Sequence, residues 1–405
     1  MPYYQRMGRI PAKRHTQFYK EDGSLFREQV MGTKGFSGPQ SILYHGEAPT
    51  WLSKIAPFER KLPQLLREEI LRPRHIHTAH APLVGDTITG RNYLLGNEDL
   101  SLGLLLLQEE MSYFYRNGEG DELLFIHEGE GVLETQFGQL SYRSGDYLVI
   151  PIGTIYRLTP NNPKEEIMEG DTVKEDATER SRKTQRILFI ETTGWLDVPE
   201  RYRNEWGQFL EHSPFCERDI HGPETLVPIS EEGPFQVITK ARSAYHLQEY
   251  PFHPFNVVGW DGYLYPWRFS IHDFEPITGR IHQPPPVHQT FTGKNFVVCS
   301  FVPRLFDYHP LSIPVPYYHS NVHSDEVLYY VAGNFMSRKG IAEGSMTLHP
   351  AGLPHGPHPG TIEGSLGKTG TEELAVMIDT FRPLYAYEGI SKLEDEAYWR
   401  SWQEE

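Results

Sequence analysis

The chain has 405 residues, including 36 Gly and 32 Pro, so about one residue in six punctuates the backbone, which excludes a long-helix or coiled-coil protein. Lys and Arg total 38 against 54 Asp and Glu, a net charge of −16, and a surface of that sign repels phosphate backbones, so nucleic acid is not an expected partner. Aromatic residues make up 13% and favour strands over helices, while two isolated cysteines, Cys216 and Cys299, exclude a disulfide framework or a thiolate zinc site and fit a reducing cytoplasm.

Residues 1–75 are rich in Gly, Pro and aromatics without a helical period, and read as an arm with edge strands. The opening MPYYQRMGRIPAKRHTQFYK carries basic residues but lacks the apolar run of a signal peptide. His75, His77 and His80 read as an exposed run with no carboxylate partner. Over 76–197 short apolar runs alternate with Gly, Asn and Asp turns, and LLFIHEGEGVLETQFGQLSYRSGDYLVIPIG holds at least three strands at barrel or sandwich spacing. The most apolar stretch, LSLGLLLLQ, is too short to span a bilayer, so no membrane partner is expected. A polar, charged insertion over 160–185 reads as a loop before ILFIETTG resumes the strand pattern. Residues 198–265 form a connector rich in Pro, Trp and Tyr, and 266–385 a second strand-and-turn region. Ile390, Leu393, Ala397, Tyr398 and Trp402 have helical spacing and predict a closing helix over 386–405.

The two strand regions are copies of one unit. YRNGEGDELLFIHEG (115–129) and HSNVHSDEVLYYVAG (319–333) align Asn117 with Asn321, Asp121 with Asp325, Glu122 with Glu326, Leu124 with Leu328 and Gly129 with Gly333. SGDYLVIPIGTIY and EGSMTLHPAGLPH then align Gly145 with Gly344, Pro151 with Pro350 and Gly153 with Gly352, at an offset five residues smaller, which predicts a shortened hairpin in the second copy. His319 and His355 stand where the first copy has Tyr115 and Tyr156, so only the second copy assembles a His, Glu, His set. Glu122, with tyrosines for neighbours, reads as a hydrogen-bonded remnant.

The spacing of His319, Glu326, Gly333 and the closing Pro-x-Gly-x-x-His resembles the two-part cupin motif. In cupins the two segments lie on neighbouring strands of a small jelly roll, so their side chains converge on one metal. The resemblance implies an all-β bicupin of two jelly-roll barrels, with an N-terminal arm and a short C-terminal helix. Two His and one carboxylate on one face of an octahedral ion leave positions for substrate and dioxygen, as in non-haem Fe(II) oxygenases. Zinc sites use the same residue types. A zinc or manganese bicupin hydrolase or isomerase, or a non-catalytic binding bicupin, therefore stays open on these residues.

PVPYYHSN, FVPRLFDYHP, GNFMSRKG and LHPAGLPHGPHPG resemble the homogentisate 1,2-dioxygenase family in its compact bacterial form. That resemblance implies one Fe(II) in the C-terminal barrel, ring opening of homogentisate with O2 to maleylacetoacetate in Tyr and Phe catabolism, and a cytoplasmic homo-oligomer, trimeric or hexameric. It places the metal on His319, Glu326 and His355 and makes His282, in HQPPPVHQTF, the base that takes a ring-hydroxyl proton, with His288 as the competing candidate. His349, Tyr318, Phe335 and His288 are the implied substrate contacts. Arg304 and Arg338 are alternative partners for the substrate carboxylate. Two departures stand out. Phe335 replaces a family Tyr whose hydroxyl meets the distal ring OH, leaving Tyr317, Tyr318 or Tyr329 to supply it and a related acid such as gentisate as an alternative substrate. His358 stands where longer members have an acidic residue.

Overall fold

The computed structural model describes residues 3–67, 70–161, 184–335, 337–338 and 340–403, so most of the polar insertion expected over 160–185 lies outside the described residues. The described strands form sheets of four, seven, eight and seven strands and one two-stranded pair. The architecture is the all-β bicupin, and its duplication is visible in strand order. The run Asp146–Ile150, Glu122–Glu128, Gln185–Thr192, Leu100–Leu107 in the first copy recurs as Met346–His349, Asp325–Ala332, Leu374–Thr380, Phe296–Phe301 in the second.

Period-two alternation sorts the side chains of these strands. Along Glu122–Glu128, Leu124 and Ile126 enter the interior of the first barrel, whereas Leu123 and Phe125 enter a larger core between the two barrels. Leu100–Leu107 is likewise buried on both faces, which explains its unbroken apolar run. In the second copy Val327, Tyr329, Val376, Ile378, Met346 and Leu348 meet the same inter-barrel core. Their neighbours Glu326, Leu328, Tyr330, Ala375, Met377 and Asp379 line a cavity on the opposite face. Polar ties cross the core: Tyr147 and Ser300 hydroxyls lie 2.9 Å apart, and the Tyr329 hydroxyl meets His127 Nδ1 at 2.7 Å.

The repeated residues hold the same places twice. The Asp121 carboxylate accepts from the Ile152 and Leu196 amides, both at 2.8 Å, and Asp325 accepts from Ala351 and Leu384, both at 2.7 Å. The Asn117 carbonyl accepts from Gly153, as that of Asn321 does from Gly352, and these turn glycines need φ of +80° and +82°.

Strand pairing runs across the boundaries drawn from sequence, because an open sheet edge is covered by whichever strand reaches it. Arg74–Ile76 from the arm pairs with Met346–His349 of the second barrel, and the connector strands Glu232–Ala241 and Ala244–Phe252 extend a sheet of the first. The closing helix is two 3₁₀ turns, Ile390–Lys392 and Tyr398–Arg400. Between them Glu394 bridges to Ile76, and that backbone pairing interrupts the helix; the one α-helix among the described residues is Thr361–Ser365. Finally, His75 is buried and Asp395 lies beside it and His77, so that run does have a carboxylate neighbour.

Candidate metal centre

Strand pairing brings the second-copy motif together. His319 and His355 form a bridge with reciprocal N–H to O=C bonds of 2.8 Å, as Tyr115 and Tyr156 pair in the first copy. Glu326 sits between His349 and Asp379 on the two neighbouring strands. Its carboxylate lies 3.4 Å from His319 Nε2, 3.5 Å from His355 Nε2 and 3.0 Å from His349 Nδ1. Burial raises the Glu326 pKa, but the three imidazoles outweigh it and hold the carboxyl well below its usual range.

The donor set fits a divalent ion. The His355 Nδ1–H donates to the Leu353 carbonyl at 3.0 Å, which fixes the tautomer and leaves Nε2 as a lone pair. That Nε2 is buried with no hydrogen-bond partner among the described residues. Ligand atoms of His319, Glu326 and His355 lie within 4.8 Å of one another. His349 stands behind this set. The Tyr398 hydroxyl lies 3.3 Å from its Nε2, so with that hydroxyl donating, Nδ1–H donates to Glu326 and orients the carboxylate. Burial pushes the His349 imidazole down to about 3, so it stays neutral.

The equivalent pocket of the first copy is plugged. Arg91 is fully buried and donates to Glu122 at 2.7 Å, to Tyr156 at 3.1 Å and to Glu191, while the Tyr156 hydroxyl donates to Glu122 at 2.7 Å. Lys240 and Tyr93 also donate to Glu191. A guanidinium therefore occupies the position where the second copy converges its imidazoles. Glu191 pairs with Glu122 in register as Asp379 does with Glu326. In the second copy one Asp379 oxygen is unpartnered among the described residues, and burial with the nearby Glu326 charge, opposed by His355, raises its carboxyl to about 7.

The other sequence-derived candidates fall into place around a cavity of about 460 Å³ that opens onto Glu326 and His319. His282, His288, Phe335, Arg304 and Arg338 line it. His282 is half exposed; its Nε2 meets the Tyr317 hydroxyl at 2.9 Å and its Nδ1 faces Asp307 at 3.4 Å. His288 is buried against Phe301, its Nδ1 has no partner, and burial, Arg304 and His282 push it down to about 3. Phe335 packs edge-on against Tyr330. Tyr318 is exposed and outside the cavity lining, and Tyr329 is turned to the other barrel, so of the three substitute hydroxyls only that of Tyr317 is on the wall. Arg304 is paired with Glu373 at 2.9 Å, whereas Arg338 has a buried Nε without a partner among the described residues. His358 is buried under Trp402. Sequence reading missed Arg91, Asp307, Asp379 and Tyr398, none of which lies in a repeated motif.

No family model matches the chain. A protein of Saccharolobus solfataricus named as a putative dioxygenase is 40% identical over 405 residues, 99% of each chain. Homogentisate 1,2-dioxygenase of Emericella nidulans is 23% identical over 438 residues, 96% of this chain and 90% of its own length. The mouse enzyme of that name is 24% identical over 71% of this chain, which spans 62% of the mouse protein. Among solved structures, oxalate decarboxylase of Bacillus subtilis (11% identity, TM-score 0.32, 79% of this chain and 80% of that one) and a cupin 2 barrel protein of Leptotrichia buccalis (10%, 0.31, 79% and 100%) are similar.

Proposed function

This chain belongs to the homogentisate 1,2-dioxygenase family and is an oxidoreductase of the dioxygenase class; we propose that it opens the ring of homogentisate with O2, using Fe(II) held by His319, Glu326 and His355, to give maleylacetoacetate in Tyr and Phe catabolism. The observation that carries the reading is the contrast between equivalent pockets, one plugged by Arg91, the other presenting an unpartnered imidazole lone pair beside a cavity sized for a single-ring acid. Iron, when bound, supplies the electron relay between triplet O2 and the singlet ring that removes the spin barrier.

The protein's own groups do the rest. His282 is the base. Asp307 faces its Nδ1 and favours the proton there, so Nε2 is the accepting atom, now meeting the Tyr317 hydroxyl, and a phenolic substrate offers the same kind of donor. His288, neutral down to about 3, is a much weaker base and serves as an apolar wall with Phe301. Arg338 is the better partner for the acid arm, because Arg304 is already paired. His349 and Tyr398 hold Glu326 in orientation.

Phe335 gives a second substrate reading its basis. With the Tyr330 hydroxyl engaged by Thr347 at 3.2 Å, this part of the wall offers no free phenol, and a related hydroxylated aromatic acid such as gentisate belongs in the same screen. The test is O2 uptake by anaerobically Fe(II)-loaded protein. Uptake equimolar with added homogentisate is expected, and no uptake with homogentisate, gentisate or their analogues overturns the proposal.

A further inference from the structure

A second group of metal-binding side chains lies on the outer edge of the same barrel and shares no residue with the first. Strand Arg74–Ile76 pairs on one side with Met346–His349. On its other side the chain near the C-terminus lies against it: Ile76 bridges Glu394, the His77 amide donates to the Leu393 carbonyl at 2.7 Å, and the Asp395 amide donates to the His75 carbonyl at 2.9 Å. Two-residue periodicity turns Ile76 into the inter-barrel core and puts His75 and His77 together on the opposite face. Antiparallel pairing about Ile76 and Glu394 sets Asp395 across from His75 on that face. The imidazole centroids are 4.2 Å apart, and one donor atom from each of His75, His77 and Asp395 falls within 4.8 Å of the others.

His75 itself calls for a ligand. It is 2% exposed, yet its Nε2 is buried without a hydrogen-bond partner among the described residues, a state that is costly and rare. Asp395 has no ion-pair partner among the described residues; one carboxylate oxygen accepts from the Ala397 amide at 2.9 Å, and the other is left over. The neighbouring arginines do not compete for it, because Arg72 and Arg74 both pair with Glu394.

We infer that His75, His77 and Asp395 form a second metal site, taking one zinc-class divalent ion through two imidazoles and a carboxylate. Two nitrogens and one oxygen suit zinc, with water in the outward position, since His77 is half-buried and Asp395 exposed. The ion clamps the C-terminal segment to the barrel. That segment carries Tyr398, whose ring is 5.4 Å from His75 and whose hydroxyl meets His349, and Trp402, which packs on His349 and His358. Because the ligands come from residues far apart in sequence, the folded chain alone assembles the site, and bound ion stabilises it by mass action.

The experiment uses full-length His355→Ala, in which the first centre lacks a ligand, so its outcome is independent of the proposed dioxygenase chemistry. Zinc per chain is measured by elemental analysis after equilibrium dialysis, with Co(II) absorption as an optical check. About one equivalent is expected, with affinity falling at least tenfold when Asp395→Asn or His77→Gln is added. Asp395 is exposed and His77 half-buried, and Asn keeps an acceptor for the Ala397 amide. In the parallel arm, zinc added to iron-loaded wild type raises the thermal midpoint and does not raise that of Asp395→Asn. No zinc bound by His355→Ala, or equal binding with and without Asp395→Asn, overturns the inference.

Discussion

Arg91→Met tests whether the first barrel is held together by the cation that plugs it. The methionine keeps much of the aliphatic stem, so the change deletes charge and donors more than volume. Arg91 makes charged hydrogen bonds to Glu122 and Glu191, donates to Tyr156 and the Thr87 carbonyl, and stacks 5.2 Å from the Tyr115 and Phe189 centroids. Two hydrogen bonds to charged groups contribute about 1.5–3 kcal/mol each. Breaking a buried ion pair on one side costs about 3–5 kcal/mol, because an anion is stranded. The two routes agree at about 3–5 kcal/mol, a large part of a stability of about 5–15 kcal/mol. Glu191 keeps Lys240 and Tyr93, so Glu122 is the anion left worst served, and adding Glu122→Gln recovers part of the loss. Urea unfolding reads the stability, and iron content and turnover are measured below the transition. The expected result is a lower midpoint with iron per chain and kcat unchanged in the folded fraction. Unchanged stability, or iron lost from folded Arg91→Met, refutes the assignment of the first copy as a plugged, structural barrel.

The two copies diverge under matched substitutions. His355→Ala abolishes iron retention and turnover, whereas Tyr156→Phe, which deletes a hydroxyl bonded to Glu122 and Arg91, costs about 1–3 kcal/mol of stability and leaves kcat alone; elemental analysis and steady-state kinetics separate them. Phe335→Tyr places a phenol on the cavity wall and raises kcat/KM for homogentisate about 5- to 150-fold, the kinetic equivalent of about 1–3 kcal/mol, and no change or a loss argues for a different ring substituent. His282→Gln lowers kcat by about 10²- to 10⁴-fold while His288→Phe retains it, and the opposite ranking exchanges their roles. His288→Phe also changes acid stability. The folded protein keeps His288 neutral down to about 3, but the unfolded chain takes up its proton near 6.5, so this contribution is complete above about 6.5 and is lost as pH falls toward 3. Removing the titrating ring flattens the fall in urea midpoint across that window.

What could be read from sequence was whatever the chain states twice. The alignment of Asp121 with Asp325 and Gly153 with Gly352 is legible because each pair does the same backbone work in both barrels. The exchange of two tyrosines for two histidines then isolates the copy with a candidate metal-ligand set. What could not be read was whatever comes from a different strand with no motif of its own. Arg91 reaches Glu122 only because its strand borders Leu100–Leu107 in the folded sheet, and Asp307 meets His282 through an irregular segment. The C-terminal residues illustrate the same limit from the other side: their helical spacing is real, but pairing of Glu394 with Ile76 outweighs a propensity worth only tenths of a kcal/mol per residue. The buried carboxylate explains why the copies could part company in this way. Glu122 and Glu326 occupy one position in one fold, and each is a buried carboxylate that positive charge or hydrogen-bond donors must partner. A guanidinium supplies them from within the chain and closes the first pocket. Imidazoles give weaker compensation, leave a lone pair unused at His355, and so leave the second pocket suited to a metal cation.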